Sequence, residues 1–337
     1  MRRTFMVTPL IAVLGCTGAI DSGGGGDDDP LEPTLTLTSP SADSEYVREV
    51  HGAFGALVAA VPVTAEASGP IVRVVYELAS GVYGDSQLAE LIGDDLAYDA
   101  ELEDLGDYQL VAIGYDADGD ERARDVVSFR VSEPTPADCH AWLDLYGLEY
   151  TLGPNNEGVA DPVTVTVPIN GMSYRSGSSS SPRSTFFMDC SLALSLARAA
   201  PELRRRDIIE VVDYGVYNYR CIGGGTPPDC PNGISQHAYA KGIDIAGLTS
   251  STGTYYSVND DWVIDPAGEP TCEADTEGDK NTFLHEVICE LKRRRTWNIV
   301  LTPNYNDAHR NHFHVDLTTG SDFIRSGAGV DVGPDLH

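Results

Sequence analysis

Six of the seven cysteines lie beyond residue 138, and that asymmetry divides the chain before any motif is read. They are Cys139, Cys190, Cys221, Cys230, Cys272 and Cys289. An even number in an exported chain predicts three disulfides. Many pairings are possible; local spacing favours Cys221–Cys230 and Cys272–Cys289, which leaves Cys139–Cys190, and the connectivity stays open. A cysteine-bound zinc site is the competing expectation, but no CxxC spacing supports it. The staples belong to the C-terminal half alone.

The chain has 337 residues, 42% of them hydrophobic, enough to bury two cores. Its 52 acidic and 22 basic residues leave a formal net charge of -30. Such a charge repels nucleic acid and anionic lipid surfaces, so no nucleic-acid partner is expected. Arg2 and Arg3 precede an apolar run from Phe5 to Leu14 that is too short to span a membrane. Residues 1–15 therefore read as a secretory signal. VLGC, ending at Cys16, resembles a bacterial lipobox. That resemblance implies a lipid anchor at Cys16 and a periplasmic or cell-surface location. Residues 16–33 are glycine- and aspartate-rich, a flexible acidic tether.

From residue 34 to 133 the pattern is β. Thr34 to Thr38 alternates with period two, and residues 71–78, 108–115 and 126–131 are β-branched and aromatic runs. Short Gly, Asp and Ser clusters separate them, as in an all-β sandwich, and the segment resembles an immunoglobulin-like module. Asp116 to Asp120 reads as an acidic hairpin turn without the glutamate of a calcium loop. Two prolines in residues 132–139 mark the boundary. Beyond it, residues 162–169 read as a strand, 176–184 as an exposed loop, and 190–204 and 283–295 as helices. Lys292 to Arg295 read as solvated charges at a helix C-terminus. A C-terminal domain is expected over 134–320, with 321–337 as a tail. His51, His140, His285 and His337 read as ordinary histidines.

Four of the eight histidines fall in two short stretches, SQHAYAKGID (235–244) and HRNHFHVD (309–316). A strand, a bend at Lys241-Gly242 and a return strand bring His237 to Asp244, with Gly242 taking torsions other residues avoid. His312 and His314, two apart in a strand, project from one face. Two imidazoles and one carboxylate make three ligands of a catalytic zinc, which lowers the pKa of a fourth-position water to about 7.

Roughly Cys139 to Thr318 resembles the extensin-like C-terminal domain of bacterial proteins. The residues that carry the likeness are Cys139, Cys190, Cys221 and Cys289, YRC at 219–221, SQHAYAKGIDI, Trp262 and LTPNYNDAHRNHFHVDL. Its motif pair is similar to the zinc peptidases that group D-Ala-D-Ala carboxypeptidases, murein endopeptidases and hedgehog domains. The resemblance implies an α+β zinc-peptidase-like domain, with Zn2+ held by His237, Asp244 and His314. It gives His312 a proton-transfer role and His309 a role in orienting it or meeting the leaving group. Arg220 is expected to bind a substrate carboxylate, Ser235 to hydrogen-bond in the site, and Asp316 to support a ligand. Two positions depart from the pattern. Arg220 precedes Cys221, where the family more often has arginine after it, and Asn311 stands where the carboxypeptidase branch has a glutamate base. The expected function is a surface-tethered zinc peptidase acting on peptidoglycan peptides. The alternative is a metal-containing wall-binding or adhesion lipoprotein without turnover.

Overall fold

Leu57–Ser68 is the strand around which the N-terminal unit is built; its first residues are buried, and from Ala59 to Val63 buried and exposed residues alternate. The computed structural model describes residues 32–80, 84–92, 95–265, 270–274, 276–326 and 329–332. The expected signal segment, Cys16, most of the tether and His337 lie outside the described residues. Leu57–Ser68 pairs with Thr34–Ser39, Val50–His51 and Ala97–Leu102 in one sheet. A second sheet orders Ser44–Val47, Glu121–Ser132, Gly106–Tyr115, Arg73–Ser80 and Gly84–Ile92. Between them Val61, Val74, Tyr76, Leu110 and Phe129 form a core. Tyr76 is fully buried and donates its hydroxyl proton to Leu96 O at 2.7 Å, so burial leaves no polar atom unpaired. The acidic turn closes on itself: Asp116 accepts the N–H groups of Asp118 and Asp120 at 2.9 and 3.0 Å and pairs with Arg122.

The C-terminal unit is a mixed sheet backed by two helices. In order, the sheet runs Ser173–Ser176, Ile208–Gly215, Gly242–Ser250, Phe313–Asp316, Ile299–Leu301, Phe323–Ser326 and Gly329–Val332. Helix Cys190–Arg205 starts where Asp189 accepts the N–H of Ser191 at 3.1 Å. It packs Leu192, Leu196 and Leu203 into a core shared with Leu284, Ile288 and Leu291 of helix Asp279–Arg293. The disulfides are Cys139–Cys190, Cys221–Cys230 and Cys272–Cys289. No helix among the described residues is long and apolar enough to cross a membrane.

Three expectations change here. The region taken as a tail from 321 joins the sheet, because Phe323–Ser326 pairs in parallel with Ile299–Leu301 and buries Ile324. Lys292 is buried rather than solvated: its ammonium donates to Trp297 O and Asn298 O and pairs with Asp322, closing the turn after the helix. The torsion expected of Gly242 belongs to Ala240 (φ 52°), while Gly242 lets neighbouring strands approach closely.

The two units meet at a defined seam. Leu57 of the sandwich is buried in the C-terminal core. Asn170 donates to Gly55 O at 3.0 Å and to Ala197 O at 2.9 Å, and Arg204 donates to Phe54 O at 2.7 Å. Arg205 and Arg294 both reach Glu103 of the sandwich.

Candidate metal centre

His237 sits on a 3-10 turn, Gln236–Tyr239, and not on a strand. Ser235 is buried and its hydroxyl accepts the His237 N–H at 3.3 Å, so it shapes the turn that presents the imidazole. Ala240, left-handed, ends the turn and feeds strand Gly242–Ser250, which carries Asp244. The antiparallel strand Phe313–Asp316 places His314 directly opposite Asp244. Gly242 lies opposite Asp316, and a Cβ there would stand 3.2 Å from Asp316 Cβ and 3.3 Å from His314 Cε1. Its missing side chain lets the ligand-bearing strands close up. His312 just precedes its strand, yet its Nε2 still lies 3.4 Å from Asp244 Oδ1.

Three ligand atoms converge. His237 Nε2 is 3.1 Å from Asp244 Oδ1 and 3.1 Å from His314 Nδ1, and His314 Nδ1 is 2.8 Å from Asp244 Oδ1. The far side of each ring assigns its tautomer. His237 Nδ1 faces Val216 O at 2.8 Å, a carbonyl that only accepts, so Nδ1 carries the proton. His314 Nε2 donates to Asp316 Oδ2 at 3.0 Å. Both rings thus aim lone pairs at the carboxylate between them. Three acceptors in one spot repel unless a cation or an extra proton joins them. In the free protein a proton does so. Burial opposes charge on His314, but its hydrogen bonds to Asp244 and Asp316 outweigh burial and lift its pKa to about 9. Burial likewise works against the Asp244 carboxylate, and the two imidazoles that face it, His237 and the protonated His314, outweigh burial and hold that carboxyl far below its usual range.

A nitrogen, nitrogen, oxygen donor set with a carboxylate behind one imidazole fits zinc. The ligand atoms of His237, Asp244 and His314 all lie within 4.8 Å of one another. A second grouping, Cys139, Asp161 and Cys190, has its two sulfurs joined in a disulfide and offers no thiolate.

Around the centre, His309 and His312 bring their ring centres to 5.2 Å, tilted by 42°. Burial, with the nearby His312 and His314 charges, pushes His309 down to about 4. Burial also lowers His312. Asn306 Oδ1 and Asn311 Oδ1 each meet the Nδ1 of the histidine that follows, at 2.7 and 2.8 Å. Arg220 lines a cleft of about 170 Å³ with Tyr214, Gly215, Val216, Tyr217, Asn218, His237 and Asp244. Its guanidinium makes no ion pair among the described residues. Sequence reasoning named Arg220 but missed the wall from Tyr214 to Asn218. The aromatic density of YGVYNYRC was the available signal.

The extensin-like protein C-terminus family matches residues 157–325, just over half of the chain, and the chain belongs to that family. Among solved structures, the chain is similar to the fibronectin(III)-like modules of Clostridium thermocellum CbhA. The identity is 22%, over 30% of this chain and 99% of that one, with a TM-score of 0.21. The fibronectin type-III domain of human fibronectin type III domain containing protein 3 is 18% identical, over 34% of this chain and 98% of that one, with a TM-score of 0.20. A Bacteroides ovatus protein, SGBP-B of a mixed-linkage glucan utilization locus, in complex with a heptasaccharide, is 8% identical over 69% of this chain and 46% of that one (TM-score 0.22). No curated protein matches.

Proposed function

We propose that this protein is a zinc-dependent peptidase acting on peptidoglycan peptides, exported and held at a membrane through Cys16. The observation that carries the reading is the convergence of His237, Asp244 and His314, with lone pairs aimed at one point beside a cleft. Three disulfides support an oxidising compartment. Zinc, when bound, supplies a Lewis acid that polarises a carbonyl and acidifies a water. His312 does the proton work. Asn311 accepts from its Nδ1–H, which leaves Nε2 free to take a proton next to Asp244. The Arg220 guanidinium, without an ion pair among the described residues, lines the cleft and binds a substrate carboxylate through two parallel hydrogen bonds.

A second reading, a metal-holding wall-binding or adhesion module without turnover, is favoured by Asn311, which offers no carboxylate base. Metal analysis of protein purified without chelator is expected to give close to one zinc per chain; its absence sinks both readings. Purified peptidoglycan should release peptides, and chelator should stop the release. His312→Ala should keep its zinc and lose about 100-fold or more in rate. Zinc without any released peptide leaves only the binding module.

A further inference from the structure

Both ends of the exposed serine loop are tied to Asp213, the residue before the cleft begins. Gly177 N–H donates to Asp213 O at 2.7 Å. Arg183 donates to both carboxylate oxygens of the buried Asp213, at 2.6 and 3.0 Å. Tyr214 follows, and it is the extra residue of a β-bulge. Asp213 pairs with Ile245 and Gly215 with the adjacent Asp244, so Tyr214 has no counterpart across the ladder. A bulge bends its strand and re-aims a side chain, and Tyr214 lines the cleft together with Asp244. Gly177 lies against the ring: a Cβ there would stand 2.7 Å from Tyr214 Cε1 and 3.0 Å from Cδ1.

The Tyr214 ring also meets His312. Their centres are 6.0 Å apart with the planes at 78°, an edge-to-face contact. His312 depends on such a neighbour. Its Nδ1–H donates to Asn311 Oδ1 at 2.8 Å, and a single hydrogen bond leaves the imidazole free to turn about that line. His309 lies alongside, but like Asn311 it belongs to the same loop and moves with it. Tyr214 comes from a separate strand. Its hydroxyl makes no hydrogen bond among the described residues, so the ring is the part in contact.

We infer that Tyr214 is a positioning residue: its ring, backed by Gly177 of the serine loop, holds the His312 imidazole in the plane that turns Nε2 toward the centre. This deepens the peptidase reading and rests on it for the proton that His312 moves. The experiment uses the zinc-loaded full chain and a cross-linked stem-peptide dimer, which presents both stem and cross-link bonds. Tyr214→Ala should lower kcat about tenfold or more while KM stays within about threefold. Tyr214→Phe restores the ring and should recover most of that loss. Gly177→Ala, whose methyl pushes the ring aside, should lower kcat in the same direction with zinc content unchanged. The His312 imidazole signals are read without substrate by carbon-edited proton NMR. They should be single and sharp in the unaltered chain and in Tyr214→Phe, and broadened or doubled in Tyr214→Ala. A rise in KM with kcat held, no recovery in Tyr214→Phe, or sharp single signals in Tyr214→Ala would overturn the inference. Broadened signals in a protein whose unaltered form cleaves nothing support the positioning and sink the peptidase. Cleavage by the unaltered protein, with His312 undisturbed in Tyr214→Ala, does the reverse.

Discussion

His314 carries the proton that a metal must displace, and this single residue makes the centre sensitive to pH. Its folded pKa, about 9, lies above its ordinary value of 6.5. A raised histidine stabilises the fold fully below pH 6.5, and that contribution is lost as pH rises through 9. His309, held at about 4, acts with the other sign. The unfolded chain takes up its proton first, so stability falls as pH drops from 6.5 toward 4. Metal-free protein should therefore melt highest near pH 6 to 6.5 and lower on both sides. Zinc affinity should climb between pH 6.5 and 9, by about tenfold per unit where one proton is released. Thermal melts and zinc titrations across pH 4 to 9 check both. A flat melting temperature together with a pH-independent affinity would refute the shared-proton centre.

The ligand set was legible from residue type and spacing, but the elements that deliver it were not. HxH and a distant HxxxxxxD give imidazoles and a carboxylate, yet nothing in that spacing distinguishes a strand from the 3-10 turn that holds His237. The turn's left-handed residue is Ala240, a type that seldom adopts that region, so sequence reasoning assigned the torsion to Gly242. Lys292 was misread for a similar reason: a run of four basic residues looks solvated, and only the fold supplies the carbonyls of Trp297 and Asn298 that receive its ammonium. Gly242 shows what the element scale demands. In Gly242→Ala the new methyl would press on Asp316 Cβ and His314 Cε1, so the two ligand strands must separate by a few tenths of an ångström. The expected cost is about 1–2 kcal/mol in denaturant unfolding. Zinc affinity should fall roughly tenfold, because Asp316 no longer seats the His314 ring as firmly. Unaltered zinc binding in a destabilised variant would show that strand spacing does not set the centre.

At the scale of the whole molecule, the sandwich is docked on the C-terminal unit and not merely strung to it. Glu103 of the sandwich receives Arg205 and Arg294, which both also pair with Glu202. Glu133, at the boundary, pairs with Arg48 and lies 4.0 Å from Arg198. In a strongly acidic chain these arginines neutralise carboxylates where the two units would otherwise repel. Exposed pairs of this kind contribute little individually and weaken with salt, so the seam depends on its packed contacts. Chief among these is Gly55 (φ 81°), whose added Cβ would collide with Asn170 Oδ1. Gly55→Ala therefore strains the backbone and forces Asn170 off both Gly55 O and Ala197 O, at a cost of about 1–3 kcal/mol. Because the strain is confined to the seam, the two cores should uncouple before either fails. Calorimetry of the unaltered protein should show one transition, and of Gly55→Ala two, with the gap widening as salt screens the Glu103 pairs. Zinc content should not change, since no ligand touches the seam. A single transition in the variant, shifted down as a whole, would mean that the units remain one cooperative body and that the glycine does not govern their docking.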